Sequence, residues 1–173
     1  LKPENLFITR REDGKICLKI LDFGIAKVTL AAAMRGLSTK VLGTPLYMSP
    51  EQVDAKPNIS PQADLYALGH IAYTLLAGEP YWQEELRGSR AIVRFFAQVR
   101  AGVSEPPSVR AVTRGVTLSP AFDSWFLKAT ALAPERRHAS AMEAIRTLAE
   151  ALDEPLPGAL QISSADVIPD GND

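Results

Sequence analysis

Two short stretches of this 173-residue chain carry side chains that could do chemistry together: LKPEN at positions 1–5 and LDFG at 21–24. Lys2 offers an ammonium point charge, Asn5 an amide oxygen and Asp22 a carboxylate. Amide and carboxylate oxygens are hard donors that suit a small divalent cation, and a lysine is a flexible charge that suits an anion. Taken singly, each has a plainer structural reading: DFG as a turn, Lys2 as a solvated surface charge, Asn5 as a strand cap. Their position in the fold decides between the readings.

The elements that must position them are legible. NLFIT at 5–9 and ICLKIL at 16–21 are short β-branched-rich runs separated by RREDGK, and its Asp13-Gly14 supplies the positive φ that a tight hairpin needs. Asn5 enters the first strand and Asp22 leaves the second, so a hairpin brings both to one end. From Asp22 to about Glu51 the chain is polar and without periodicity, a length that inside a compact domain marks a functional or disordered loop.

Ser60-Pro61 then reads as an N-cap and first helical position, with Gly78 as the terminator. Leu65, Leu68, Ile71, Ala72, Leu75 and Leu76 leave that helix almost no polar side, which predicts burial on most sides. The stretch 86–101 reads as an amphipathic helix with Arg87, Arg90, Arg94 and Arg100 on its solvated face. After the Pro-rich SEPPS, Ser119-Pro120 opens another helix, and Ser140 with Glu143 predicts a capping box for the last one. Ala141, Ala144, Ile145, Leu148 and Leu152 recur there at helical spacing. From Asp153 to 173 the chain turns acidic and poor in apolar residues, which reads as a tail with little fixed structure.

Composition narrows the classes. At 46% hydrophobic and 23% charged, with a net charge of -1, the chain suits one globular domain or part of one. That balance gives no footing for nucleic-acid binding. No apolar run reaches the roughly 18 residues of a membrane span, and no signal peptide is visible. The single Cys17 reads as a core residue in a reducing, cytoplasmic setting, while membrane attachment is left open. His70 and His138 read as helix or cap residues, and Trp82, Phe122, Trp125 and Phe126 as packing aromatics.

The motifs also stand in a fixed order: LKPEN at 1–5, DFG at 22–24, GTPLYMSPEQ at 43–52, DLYALG at 64–69 and PERR at 134–137. Over residues 1–152 the chain closely resembles the large lobe of a eukaryotic-type Ser/Thr protein kinase of the kind bacteria carry. The resemblance implies a protein-kinase-like α+β fold, here the mostly helical large lobe with one β-hairpin and without the small lobe. It also implies ATP and Mg²⁺ as cofactors and the Ser or Thr hydroxyls of proteins as acceptors.

By the same resemblance, Asp22 and Asn5 are the metal ligands, and Lys2 contacts the transferred phosphate. Residues 22–51 are the activation segment, with hydroxyls at Thr29, Ser38, Thr39 and Thr44. Ser38 or Thr39, beside Arg35 and Lys40, is the expected regulatory phosphosite. Gly43 and Thr44 begin the substrate shelf formed by Pro45 to Met48, and Thr44 bonds Lys2 and the catalytic Asp. Glu51 pairs with Arg137 as a buried ion pair, and Asp64 anchors the catalytic-loop backbone.

In the family, His-Arg-Asp stands immediately ahead of LKPEN, and that Asp is the general base. The expectation is therefore a kinase truncated just after this triplet, inactive as the isolated polypeptide, with Asp64 short of hydrogen bonds and the N-terminus loose. A non-catalytic regulatory or binding module, or a pseudokinase scaffold, is the alternative. The Asn5 to Asp22 gap is wider than is usual in the family, Ser49 stands where Ala is usual, and His138 where Pro is common.

Overall fold

The computed structural model describes residues 1–21, 45–87 and 91–156. Expectations for Asp22, Thr29, Ser38, Thr39, Gly43, Thr44 and Arg90, and for the tail beyond 156, fall outside these residues.

A 3-10 turn at Pro3–Asn5 leads into β1 (Leu6–Arg10), which pairs antiparallel with β2 (Ile16–Ile20). The register sets Leu6 opposite Ile20, Ile8 opposite Leu18 and Arg10 opposite Ile16. Directly opposed residues share a face, so one side of the ribbon is almost wholly apolar. The connecting loop closes as Asp13-Gly14 predicts. Gly14 has φ +79, its N–H donates to Arg11 O at 2.9 Å, and Asp13 Oδ1 accepts from Lys15 N–H at 3.0 Å. Cys17 departs from expectation: it is half-buried opposite Thr9 on the ribbon and lies outside the core, because a two-stranded ribbon has no interior.

The helices follow: α1 (Pro50–Val53), α2 (Gln62–Ala77), α3 (Ala91–Ala101), α4 (Pro107–Val112), α5 (Pro120–Ala129) and α6 (Ala141–Leu152). α2 is the axis of the assembly, packing against α5 and against the turns at Pro45–Tyr47 and Pro134–Arg136. It ends on Gly78 in the left-handed region at φ +79, as the sequence predicts. Its start lies one residue later than Ser60-Pro61 implies, with Pro61 at the cap. Leu65, Ile71 and Ala72 are buried as expected, but Leu75 is 77% exposed, since burial is not uniform round the helix. At Gly69 a Cβ would come within 3.0 Å of Ala129 Cβ and Thr130 Cγ2, so the absence of a side chain there permits the close α2–α5 approach.

The core is aromatic. Tyr73, Phe95, Phe122 and Phe126 are fully buried, each contributing roughly 1.5–3 kcal/mol of apolar burial. Trp82 and Trp125 join them, as the sequence reading expected. The helix ends are held by specific bonds. Ser119 Oγ accepts from Phe122 N–H at 3.1 Å, and Asp123 holds α4 to α5 by accepting from Ser108 N–H at 2.8 Å and its hydroxyl at 2.6 Å.

Two local readings need correction. Of the helix expected over 86–101, the described helix is Ala91–Ala101, while Glu84–Leu86 forms a separate 3-10 turn in which the Glu84 and Glu85 carbonyls take Arg94 Nη2 at 3.5 Å. The predicted Ser140–Glu143 box is half formed. Ser140 Oγ accepts from Glu143 N–H at 3.1 Å, but the Glu143 carboxylate reaches back to Ala139 N–H at 2.7 Å and also takes Lys128 at 2.7 Å. The lysine and that backbone bond hold the Glu143 carboxyl down to about 2. No helix among the described residues is long and apolar enough to cross a membrane.

Candidate active site

The ribbon's open end gathers the first two predicted site residues. Lys2 is extended (φ -161, ψ 153) and half-buried, and its carbonyl accepts from Asn5 N–H at 3.1 Å across the Pro3–Asn5 turn. Pro3 occupies the first position of that turn, where its missing N–H costs no bond. Asn5 O in turn accepts from Leu21 N–H at 2.8 Å, continuing the ladder one step past Leu6–Ile20. Leu21, the last described residue before Asp22, is thereby held beside Asn5. Leu6 anchors the ribbon by packing on the core.

Asp64, in the first turn of α2, accepts from the Leu1 nitrogen at 2.8 Å. Asp64 thus meets the first backbone nitrogen of the chain through Oδ1, with its carboxylate largely exposed. Donation needs only an N–H at this position, which either an amine or a peptide nitrogen supplies.

Beneath the site, Pro45, Leu46 and Tyr47 form a buried 3-10 turn, and Tyr47 Oη lies 3.3 Å from Thr74 Oγ1 on α2. Burial raises the Tyr47 phenol despite that bond. Of the four shelf residues only Met48 is half-buried; the other three face the core. Ser49 is the N-cap of α1, and Gln52 Oε1 accepts from both its N–H at 3.0 Å and its hydroxyl at 3.2 Å, an arrangement that the sequence reading did not include.

The predicted Glu51–Arg137 pair is bidentate. Arg137 Nη1 meets Glu51 Oε1 at 2.7 Å and Nη2 meets Oε2 at 2.8 Å, with side chains 0% and 5% exposed. The guanidinium also donates to the carbonyls of Ala131 at 2.9 Å and Gln62 at 2.8 Å, and lies 5.1 Å over the Tyr66 ring. Burial alone would raise the Glu51 carboxyl, but the Arg137 bonds and charge outweigh it and hold it below the usual range. This clamp joins residues 86 apart in sequence and secures the segment that follows the shelf.

A second arginine went unpredicted. Arg110 donates to Glu85 at 2.7 Å, Glu105 at 2.7 Å and Tyr81 O at 2.7 Å, and lies 4.1 Å over the Tyr81 ring. The sequence reading gave this residue no role; its partners come from the Glu84–Leu86 turn, from Tyr81 and from Glu105.

A model of the protein kinase domain family matches residues 1–147. The chain belongs to the protein kinase domain family. Among curated relatives, the serine/threonine-protein kinase Pkn1 of Myxococcus xanthus is 36% identical over 171 residues, 99% of this chain and 23% of its own length. PknL of Mycobacterium tuberculosis is 36% identical over 142 residues, 82% of this chain and 32% of its own. PknB of Mycolicibacterium smegmatis is 31% identical over 144 residues, 83% of this chain and 21% of its own. All three are named serine/threonine-protein kinases. The chain thus spans about a quarter of the length of the curated relatives first matched, 23% and 27%. Among the described residues, the helical base with one two-stranded ribbon is that of a kinase large lobe, and membership of the kinase family implies ATP and a divalent metal.

Proposed function

We propose that this chain forms the metal- and phosphate-holding side of a protein serine/threonine kinase that transfers the ATP γ-phosphoryl group to Ser or Thr hydroxyls of proteins, with Mg²⁺. The observation that carries the reading is the Leu21 N–H to Asn5 O bond of 2.8 Å, which keeps an amide donor and the chain entering a carboxylate donor at one ribbon end. The donor chemistry fits the ion: Mg²⁺ takes oxygen ligands and is usually held by one or two protein groups together with substrate phosphates.

In this reading Asp22 and Asn5 hold the metal, and the amide adds a ligand without adding negative charge. Bound Mg²⁺ supplies neutralisation of the phosphate oxygens. Lys2, on the same turn as Asn5, meets the transferred phosphate as a point charge. Gly43, Thr44 and the shelf from Pro45 position the acceptor segment, and phosphorylation at Ser38 or Thr39 regulates it. The Asp64 contact and the Glu51–Arg137 clamp fix the two ends of this apparatus to α2 and to the loop before α6.

The test is Asp22→Ala in the full-length protein, assayed with Mg-ATP and a Ser/Thr peptide. Loss of the carboxylate should lower phosphoryl transfer by about a hundredfold or more, the scale of removing one aligned electrostatic group. Unchanged transfer and unchanged metal-dependent nucleotide binding would sink the assignment.

A further inference from the structure

Three side chains around α2 raise a hydrogen-bonding problem. Tyr66 and His70, one helical turn apart on α2, and Trp82 in the turn that follows it are each about 1% exposed. Their ring centroids lie 4.8 Å (Tyr66–His70) and 6.0 Å (His70–Trp82) apart. Tyr66 Oη, both His70 ring nitrogens and Trp82 Nε1 are all buried without a hydrogen-bond partner. Four such atoms on three neighbouring rings are unusual, since buried polar groups are nearly always paired with protein or ordered water. Leaving each one bare costs on the order of 1–3 kcal/mol.

The neighbours do not relieve them. Tyr81 sends its hydroxyl to Glu105 O at 2.6 Å, and Phe126 meets His70 edge-on at 5.2 Å. Arg137 covers the face of Tyr66 while its donors serve Glu51 and backbone carbonyls. The indole N–H does face the Tyr66 hydroxyl closely enough to pull the phenol's pKa down against the larger, opposite effect of burial, yet no well-formed bond closes between them. A polar approach that falls short of a direct bond is where a bridging water belongs.

The donor inventory points the same way. Trp82 Nε1–H only donates, Tyr66 Oη does both, and a neutral imidazole has one donor and one acceptor. His70 is neutral at ordinary pH, its burial and the charge of Arg110 pushing it down to about 3. A direct Trp82 to Tyr66 to His70 chain would leave the imidazole N–H with no acceptor. A water has two donor and two acceptor positions, and internal waters typically make about three bonds to such groups.

We infer that Tyr66, His70 and Trp82 together bind one internal water molecule, which joins α2 to the turn after it. The site depends on chemistry in all three side chains, so removing one group should weaken what the other two hold. It is independent of the proposed phosphoryl transfer.

The test combines a double-mutant cycle with direct detection in the full chain. Tyr66→Phe and Trp82→Phe each keep an aromatic ring and delete one polar group. Urea unfolding of both singles and the double should show non-additivity of about threefold or more in the folded-to-unfolded ratio. The NMR signal of the Trp82 indole proton should show a cross-peak to a long-lived water that is lost in Tyr66→Phe. Additivity within about twofold, or a direct Trp82–Tyr66 bond without the water cross-peak, would overturn the inference. Should Trp82→Phe fail to fold, the cross-peak in wild type and in Tyr66→Phe decides alone.

Discussion

On α2, Tyr66, Ala67, Ile71 and Tyr73 are buried almost completely, whereas on the ribbon Ile8, Ile16 and Leu18 are 77%, 69% and 57% exposed. Both segments are apolar, but only α2 has α5 and the turns at Pro45–Tyr47 and Pro134–Arg136 packed against it to receive its side chains. The ribbon depends mainly on its own strand pairing, and an isolated two-stranded ribbon is marginal in water. Yet the ribbon carries the proposed metal ligands. Placement of the site therefore relies on a few anchors: Leu6 in the core, Asn5 on Leu21, and the Leu1 nitrogen on Asp64.

If the base carries the stability and the ribbon little of it, mutations should sort accordingly. The largest loss is expected from Arg137→Ala, about 3–5 kcal/mol in urea unfolding, because it strands the Glu51 carboxylate in the interior. Replacing both partners with apolar residues, Glu51→Leu with Arg137→Met, should cost much less; an equal loss would mean that packing, and not the orphaned charge, is responsible. Next comes Gly69→Ala, whose methyl would press on Ala129 and Thr130 and should lower stability by about 1–3 kcal/mol.

Acid should act on the same base. His70 has its folded pKa depressed to about 3, so the unfolded chain binds the extra proton first. Its stabilising contribution is complete above the ordinary histidine value of about 6.5 and is lost as pH falls towards 3, by up to roughly 1.4 kcal/mol per pH unit. Glu51, also depressed, adds a loss in the same direction once pH drops through its folded value. Urea midpoints should therefore fall between pH 7 and pH 5, and His70→Leu should flatten that slope. The smallest effect is expected on the ribbon: Ile8→Thr should change global stability by no more than about 0.5 kcal/mol. A large loss there would break the contrast between the two regions.

The sequence was most readable where a local rule had a local cause. Gly78 needs a left-handed backbone, Ser119 needs only Phe122 three residues on, and Asp13-Gly14 needs only its own turn. Glu51–Arg137 joined distant residues and was legible through the kinase resemblance, since no periodicity connects them. Tertiary choices were hidden. Leu75 matches its buried neighbours in type, and only the arrangement of helices leaves it exposed. Residues 84–86, next to the helix expected from 86, form a 3-10 turn of their own, and the carbonyls that Arg94 reaches there come from tertiary placement that periodicity does not encode. Arg110 had no signal of its own in the sequence, because Glu85 and Glu105 are brought to it only by the tertiary fold. For the candidate site, Asn5 lies where the hairpin reading put it, at the ribbon's open end, with Lys2 on the turn before it.

The contact between Asp64 and the Leu1 nitrogen has a mechanical meaning. Exposed as that carboxylate is, it adds little energy, but it belongs to the first turn of the deepest rod in the molecule. Lys2 and Asn5 are thereby indexed to that rod at one side and to the strand ladder at the other. The distal loop at 11–15 is separated from them by five paired residues, so a change made at the ribbon's tip has only that ladder through which to act on the reactive end.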